Sequence, residues 1–502
     1  MARSARTSRR VAAAIGVALL LVAAVALARP GGGHSFSGGF HGGGGSSGGG
    51  GGGVGALVEI LVWLVLTHPK IGIPVVLVVV TVALVRKVGK SALKGWSTTT
   101  PAQVAQVQQV QQVQQAAAVP RSRLDQIRNV DPGFSVVLFE DFAYLLYATV
   151  LRSRATGTAA VAAYLAPDVA QMLPDQSLGD VRGIVIGAMK IVGFSGLGGA
   201  TVDVELEIEA NYVEALRAGG ERRFYAVDRM LLQRASTAKS RPFARSRTLD
   251  CPNCGAALEA VRGTQCSYCG QNVGYGRFDW MVARFENMKR EPRGPLLTSN
   301  VPEQGTELPT IADPGAGVRF SQIQQRDPSL TWDVLTARIA YVFGQLQAAW
   351  AGRDTARIRP FVSDNLFQSM VYWIDLYVQQ QCRNVTENAR ILRIDLANVL
   401  PDAHYDSVTV RVFATGLDYT ISDAGKVLSG SRSRPRTYSE YWTLIRGSSK
   451  KGPSRGDANC PNCGAPLEIG MSGNCEYCQV KVTSGEFDWV LSRIEQDEAY
   501  TG

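Results

Sequence analysis

Histidine is scarce in this chain of 502 residues, which has only four. His34, His41 and His68 precede the stretches that look foldable, so His404 alone is left for chemistry near neutral pH. That argues against a catalytic centre built on histidine. Cysteine is absent before Cys251, so the apolar N-terminal run carries no lipoprotein acceptor. Charge of either sign is modest, at 19% of residues. The balance of +9, with a pI near 9.1, suits an anionic surface without demanding nucleic acid. Asp375, Asp395, Glu205 and Glu207 are available for acid–base chemistry, but no paired-carboxylate motif nominates them.

What the chain does have is a duplicated stretch. One copy starts CPNCG at Cys251, passes CSYCG at Cys266 and ends GRFDWMVARFE at Glu286. The other starts at Cys460, passes CEYCQ at Cys475 and ends GEFDWVLSRIE at Glu495. The offset is 209 residues throughout, without a gap, and half of the aligned positions are identical. Each copy reads C-x2-C-x11-C-x2-C. Paired thiolates two residues apart can grip a tetrahedral ion from one tight turn, and two such turns close the site. Gly255 and Gly464 let the first turn form without a side-chain clash. The expectation is two structural zinc ribbons, one on Cys251, Cys254, Cys266 and Cys269 and one on Cys460, Cys463, Cys475 and Cys478. Iron in the same sulfur cage, disulfides, or free buried thiols are the alternatives. Cys382 is left over and reads as an inert buried thiol.

The tail of each copy reads as a short helix. Asp279 and Asp488 would be its N-caps, and Phe278, Met281, Val282 and Phe285 (Phe487, Val490, Leu491 and Ile494 in the second copy) its apolar face. Trp280 and Arg284, like Trp489 and Arg493, are spaced to stack on another side of it.

Residues 1–28 have a basic start, an apolar run and Ala26-Leu27-Ala28, the form of a signal peptide or an uncleaved signal anchor. Residues 29–55 are mostly glycine and serine, expected to be a flexible tract. Residues 56–85 are strongly apolar, interrupted by His68-Pro69-Lys70. Ile71–Val85 is only 15 residues, about 22 Å as a helix, against a hydrocarbon core of about 30 Å. One kinked transmembrane span is expected, with a re-entrant hairpin as the competitor. Arg86, Lys87, Lys90 and Lys94 come next and favour a cytoplasmic exit, where thiolates stay reduced. The predicted location is the inner membrane with the C-terminal domains in the cytoplasm. Residues 86–130 read as this basic exit and a stalk rich in Gln and Val.

Two similar α+β domains are expected next, at 131–247 and 327–456. Their ribbons would follow at 248–290 and 457–496, and a linker would span 291–326. They open with Asp131-Pro132 and Asp327-Pro328. Helical periodicity with aromatics follows, then a second helix at Val161–Leu173 or Thr355–Val378, then period-two strands. The strands are Val181–Val192 and Thr201–Ala210 in the first, and Ile391–Leu400, Ser407–Thr415 and Tyr438–Arg446 in the second.

The order of segments resembles bacterial membrane proteins that carry the domain of the mitochondrial import-motor tether, the forty-four-kilodalton translocase subunit family. The resemblance rests on the signal, the glycine tract, the apolar segment with His68-Pro69, Arg86-Lys87, and a domain running from Asp327-Pro328-Ser329 to Tyr438-Ser439-Glu440-Tyr441-Trp442-Thr443-Leu444-Ile445-Arg446. It implies tandem cones of helices against a curved antiparallel sheet, like nuclear transport factor two, with an apolar pocket and membrane binding. The chaperone-recruiting region of the mitochondrial relative is not found in this sequence, and the ribbons depart from its pattern, so import-motor tethering is not carried over.

The reading is a membrane-anchored, non-catalytic scaffold binding a lipid, peptide or protein partner. Arg222, Arg223, Arg241, Arg245, Arg247, Lys450 and Lys451 are the residues expected to meet anionic lipid. An enzyme using the cone pocket is one alternative. Nucleic-acid binding by the ribbons is another, disfavoured because the ribbons carry few basic residues.

Overall fold

The computed structural model describes residues 119–292, 303, 305–454, 459–497 and 499–502. The signal at 1–28, the glycine tract at 29–55, the span at 56–85 and the stalk up to 118 lie outside the described residues. Among the described residues no helix is long and apolar enough to cross a membrane.

The first long helix of the first lobe is α1, Val136–Thr156, whose N-cap Ser135 accepts the Leu138 N–H at 3.3 Å. A 3-10 turn at Ala159–Tyr164 leads to a short α2, Pro167–Met172. Three long strands come next: β1, Leu178–Ser195; β2, Thr201–Leu216; and β3, Glu221–Ala235. A fourth, β4, Met281–Glu291, pairs with β3, giving an antiparallel sheet in the order β1-β2-β3-β4. On β2 the alternation is strict: Val202, Val204, Leu206 and Ile208 are fully buried against the helices, while Asp203, Glu205, Glu207 and Glu209 face outward.

The second lobe repeats the plan. Its helices are α3, Ala316–Arg326; α4, Trp332–Gly352; and α5, Asp364–Gln379. Thr331 and Ser363 cap α4 and α5 with their hydroxyls. The strands are β5, Cys382–Pro401; β6, Tyr405–Ser422; β7, Val427–Gly430; β8, Arg436–Gly447; and β9, Val490–Gln496. The sheet runs β9-β8-β6-β5, with β7 pairing β6.

The ribbon tails are strands, not helices. FDWMVARF is too short for its apolar pattern to separate the two periods. What decides is tertiary: β3 and β8 each have an open edge whose backbone groups need partners. β4 and β9 supply them, with Met281 opposite Gln233 and Val490 opposite Ile445. Asp279 is no helix cap, since its Oδ1 accepts the N–H of its own neighbour Trp280 at 2.8 Å. Each ribbon is therefore an insertion between the last two strands of its sheet, so boundaries at 247 and 456 cut through the sheets.

Three further expectations change. Residues 119–130 belong to the first lobe rather than to a stalk, because Leu124 and Ile127 are completely buried in its core. The linker at 291–326 ends in α3, whose only large buried apolar side chains are Phe320 and Ile323. The single helix expected at Val161–Leu173 is broken at Leu165, which bridges to Val282 on β4 while Ala166 N–H donates to Val282 O at 2.9 Å. Val362 and Ser363 make the same contact with Leu491 on β9.

The lobes meet through α1 and β1 of the first and α5 and β9 of the second. Arg493 on β9 donates to Glu140 on α1 at 2.8 Å and to Met189 O on β1 at 3.2 Å. Asn365 donates to Asp141 at 2.9 Å, and Arg247 bridges Asp141 at 2.7 Å and the Tyr405 hydroxyl at 2.8 Å. Val185 and Tyr225, on the outer face of the first sheet, are buried in the second lobe's apolar cluster.

Candidate metal centres

Each ribbon opens on a knuckle that the sequence makes tight. Gly255 and Gly464 have φ of +79° and +77°, and their N–H groups donate to Cys251 O and Cys460 O at 2.9 Å. At Gly255 a Cβ would also lie 2.5 Å from the Arg245 guanidinium carbon, so Arg245 would have to move aside. The second knuckles turn at Gly270, φ +69°, and at Gln479, φ +60°. Gln479 occupies the left-handed region without being glycine, a conformation that costs about 1 kcal/mol or more.

These turns bring the sulfurs together. In each set of four, all Sγ atoms lie within 4.8 Å of one another. Cys251–Cys269 and Cys254–Cys266 are both 3.9 Å apart. Cys460–Cys478 and Cys463–Cys475 are 3.8 and 4.0 Å apart. A tetrahedron with Zn–S bonds of ~2.3 Å has edges of ~3.8 Å. The donor sets therefore fit a four-coordinate ion, whereas a disulfide needs sulfurs ~2.05 Å apart. Four thiolates fill a tetrahedron, so such a site holds structure and offers no open position. Either cluster can hold one ion; zinc and iron both suit the sulfur cage.

The ribbons are anchored differently. Cys251, Cys266, Val261 and Val273 are continuous with the first lobe's core. Tyr164 donates to Asp250 O at 2.6 Å, and Arg245 donates to Cys251 O at 2.9 Å. The second ribbon has its own small core of Cys460, Cys475 and Val482. It is held to the second lobe by polar contacts: Arg359 to Met471 O at 3.0 Å and Lys481 to Asp364 at 2.5 Å.

One contact recurs at the rim of both clusters. Asn253 Nδ2 donates to Cys269 Sγ at 3.4 Å, and Asn462 Nδ2 to Cys478 Sγ at 3.5 Å. Sequence reading passed over these asparagines, although the repeated CPNC offered the clue.

Where a ribbon rejoins its sheet, a second device recurs. Arg234 on β3 donates to Asp131 at 2.8 Å, and its guanidinium lies 4.7 Å from the Trp280 ring centre. Arg446 on β8 does the same with Asp327, at 2.9 Å, and Trp489, at 4.7 Å. Neither tryptophan takes the arginine expected from helical spacing: Arg284 pairs Glu205 at 2.6 Å, and Arg493 reaches Glu140.

Several basic residues expected at an anionic surface are used internally. Arg241 pairs Asp250 at 2.8 Å and Asp279 at 2.7 Å, Arg245 pairs Asp250 at 3.0 Å, and Arg247 pairs Asp141. Lys450 lies over the Phe487 ring at 5.8 Å, while Arg222, Arg223 and Lys451 are exposed. The four carboxylates do not converge. Glu205 and Glu207 sit in cross-strand pairs on β2 with Arg284 and Arg229; Asp395 on β5 accepts the Thr310 hydroxyl; Asp375 is exposed on α5. Burial pushes the Cys382 thiol up, in keeping with an unreactive group.

At the lobe junction a cleft is lined by Glu140, Asp141, Tyr144, Asn365, Arg493 and Glu495, among others. It leaves about 60 Å³ for water centres, room for a few waters at roughly 10–15 Å³ each, too little for a lipid chain. Burial pushes Tyr144 there up to about 12.

A Tim44-like domain is found at residues 316–454. It begins at α3, eleven residues before Asp327, and covers the second lobe as far as the approach to its ribbon. No curated protein matches the chain.

Proposed function

We propose that this chain is a membrane-tethered, non-catalytic scaffold. Its two lobes are cones of the nuclear-transport-factor-two type, each stiffened by a zinc ribbon and together presenting a surface to a protein or peptide partner at the inner face of the membrane, in a role linked to protein transport. The observation that carries this is the Tim44-like domain at 316–454, a domain type consistent with tethering. Two closed sulfur clusters support it, because their chemistry is to hold shape. So does the ionic docking of the lobes through Arg493 and Glu140, which suits a display surface. The anchor in this reading is residues 56–85, and Arg86, Lys87, Lys90 and Lys94 keep the C-terminal lobes in the cytoplasm.

Two measurements test it. Protease applied outside intact cells should leave the C-terminal half untouched; digestion from that side sinks the topology. Photo-crosslinking from Arg222, Arg223 and Lys451 in native membranes should trap a defined protein. Crosslinks to lipid alone would move the reading to a membrane-surface module, and none at all would remove these three positions from it.

A further inference from the structure

We infer that Asn253 and Asn462 are positioning residues for the bound metals, each holding one thiolate of its cluster from outside the coordination sphere. The inference rests on the metal-site reading. Asn253 sits between Cys251 and Cys254 on the first knuckle, yet its amide reaches across to Cys269 on the second, at 3.4 Å. Asn462 crosses its own cluster to Cys478 in the same way, at 3.5 Å. The two asparagines are 209 residues apart, the offset of the whole repeat. Their surroundings differ: one ribbon is merged with its lobe's core and the other has its own. The contact persists across that difference, so it tracks the cluster rather than the packing.

The chemistry explains what the amide does. Four thiolates around a dication leave a net charge of −2, and excess negative charge on sulfur calls for hydrogen-bond donors. Cys269 and Cys478 are only half-buried, on the side open to solvent, so water would otherwise make this contact. An amide N–H in a fixed place withdraws charge from one sulfur and keeps it aimed at the ion without competing as a ligand. Asparagine suits the position because its Nδ2 donates and carries no charge of its own. Aspartate has the same shape but would set a carboxylate against the thiolate.

The test uses the purified full chain and four variants, Asn253→Ala, Asn253→Asp, Asn462→Ala and Asn462→Asp. Zinc affinity is read by chelator competition, and the thiolate-to-metal charge-transfer band is read after cobalt(II) substitution. The expected result is a loss of affinity of about 10–100-fold at the altered site alone, larger for aspartate than for alanine, with a shift of that site's cobalt band. A residue that merely shaped the turn would leave the band of the loaded site in place. Affinities within about twofold of wild type, with an unmoved band, overturn the inference while leaving the metal sites standing. Failure of the wild-type chain to bind zinc or cobalt overturns both. Should an alanine variant lose its fold, the aspartate variant of equal volume provides the reading, and an affinity equal to wild type there counts against the proposal.

Discussion

Arg446 donates to Asp327 at 2.9 Å while its guanidinium lies against Trp489, and both members of the ion pair are almost wholly enclosed. The contact joins three distant points: the turn before α4, strand β8 and the end of the ribbon. Arg234, Asp131 and Trp280 repeat it in the first lobe.

Breaking this pair from one side should be costly, because the remaining charge stays buried. Asp327→Asn or Arg446→Met is expected to destabilise the second lobe by about 3–5 kcal/mol. Urea denaturation of the full chain, compared between wild type and variant by circular dichroism, measures it. A loss no larger than that of an exposed pair, about 0–1 kcal/mol, would show the contact to be dispensable.

Metal removal should affect the two lobes unequally. Cys251 and Cys266 are part of the first lobe's core, whereas the second ribbon's core is separate. In chain loaded with zinc, Cys251→Ser should lower the bound metal from two equivalents to one and bring down the first lobe's melting temperature. Cys460→Ser should cost the same equivalent of zinc with a smaller thermal effect. Elemental analysis and calorimetry decide this, and equal thermal losses would contradict it.

Gln479 is a ready site for improvement. With φ at +60°, it occupies a backbone region that glycine adopts freely. Gln479→Gly is expected to gain about 1 kcal/mol, seen as severalfold slower zinc loss to a chelator from the second ribbon. Gly464→Ala should act in the opposite direction.

The lobe junction should be sensitive to acid. Burial alone would raise the Glu140 carboxyl, but Arg121 and Arg493 outweigh it and hold it below its ordinary value. At Asp327 burial is likewise outweighed, by Ser329, the Gly452 N–H and Arg446. A carboxyl depressed on folding contributes stability that is complete above its unfolded pKa and is lost as pH falls through the folded one. The loss should therefore begin below about pH 4. Asp141, raised by burial despite Arg247, works in the other sense, losing stability as pH rises through its elevated value. Denaturant midpoints from about pH 3 to about pH 7 should fall at the acid end, and Glu140→Gln should flatten that limb. A limb unchanged in the variant would remove Glu140 from the account.

Much of this was legible in the sequence, where local rules suffice. Cysteine spacing located the sulfur clusters, and alternation along β2 and β6 marked them as strands. The ribbon tails were misread because an eight-residue apolar pattern fits two periods, and the open edge that settles the matter is formed by β3 or β8, tens of residues earlier. α3 was missed because AGVRFSQIQQR buries so little apolar surface of its own. The partners of Arg241, Arg245 and Arg247 could not be read at all, since a surface-bound cation and one paired to a carboxylate look identical in one dimension.

The placement of each ribbon ahead of its lobe's closing strand has one more consequence. If each cluster carries an ion, a chain stripped of both need not lose its helices to become a hazard. If β4 or β9 peels away with a slack ribbon, β3 or β8 is left with a bare hydrogen-bonding margin, and another stripped chain is a ready mate for it. Chelation should then register first as concentration-dependent light scattering, ahead of any fall in helix content. The metals would thus keep these molecules from adhering to one another.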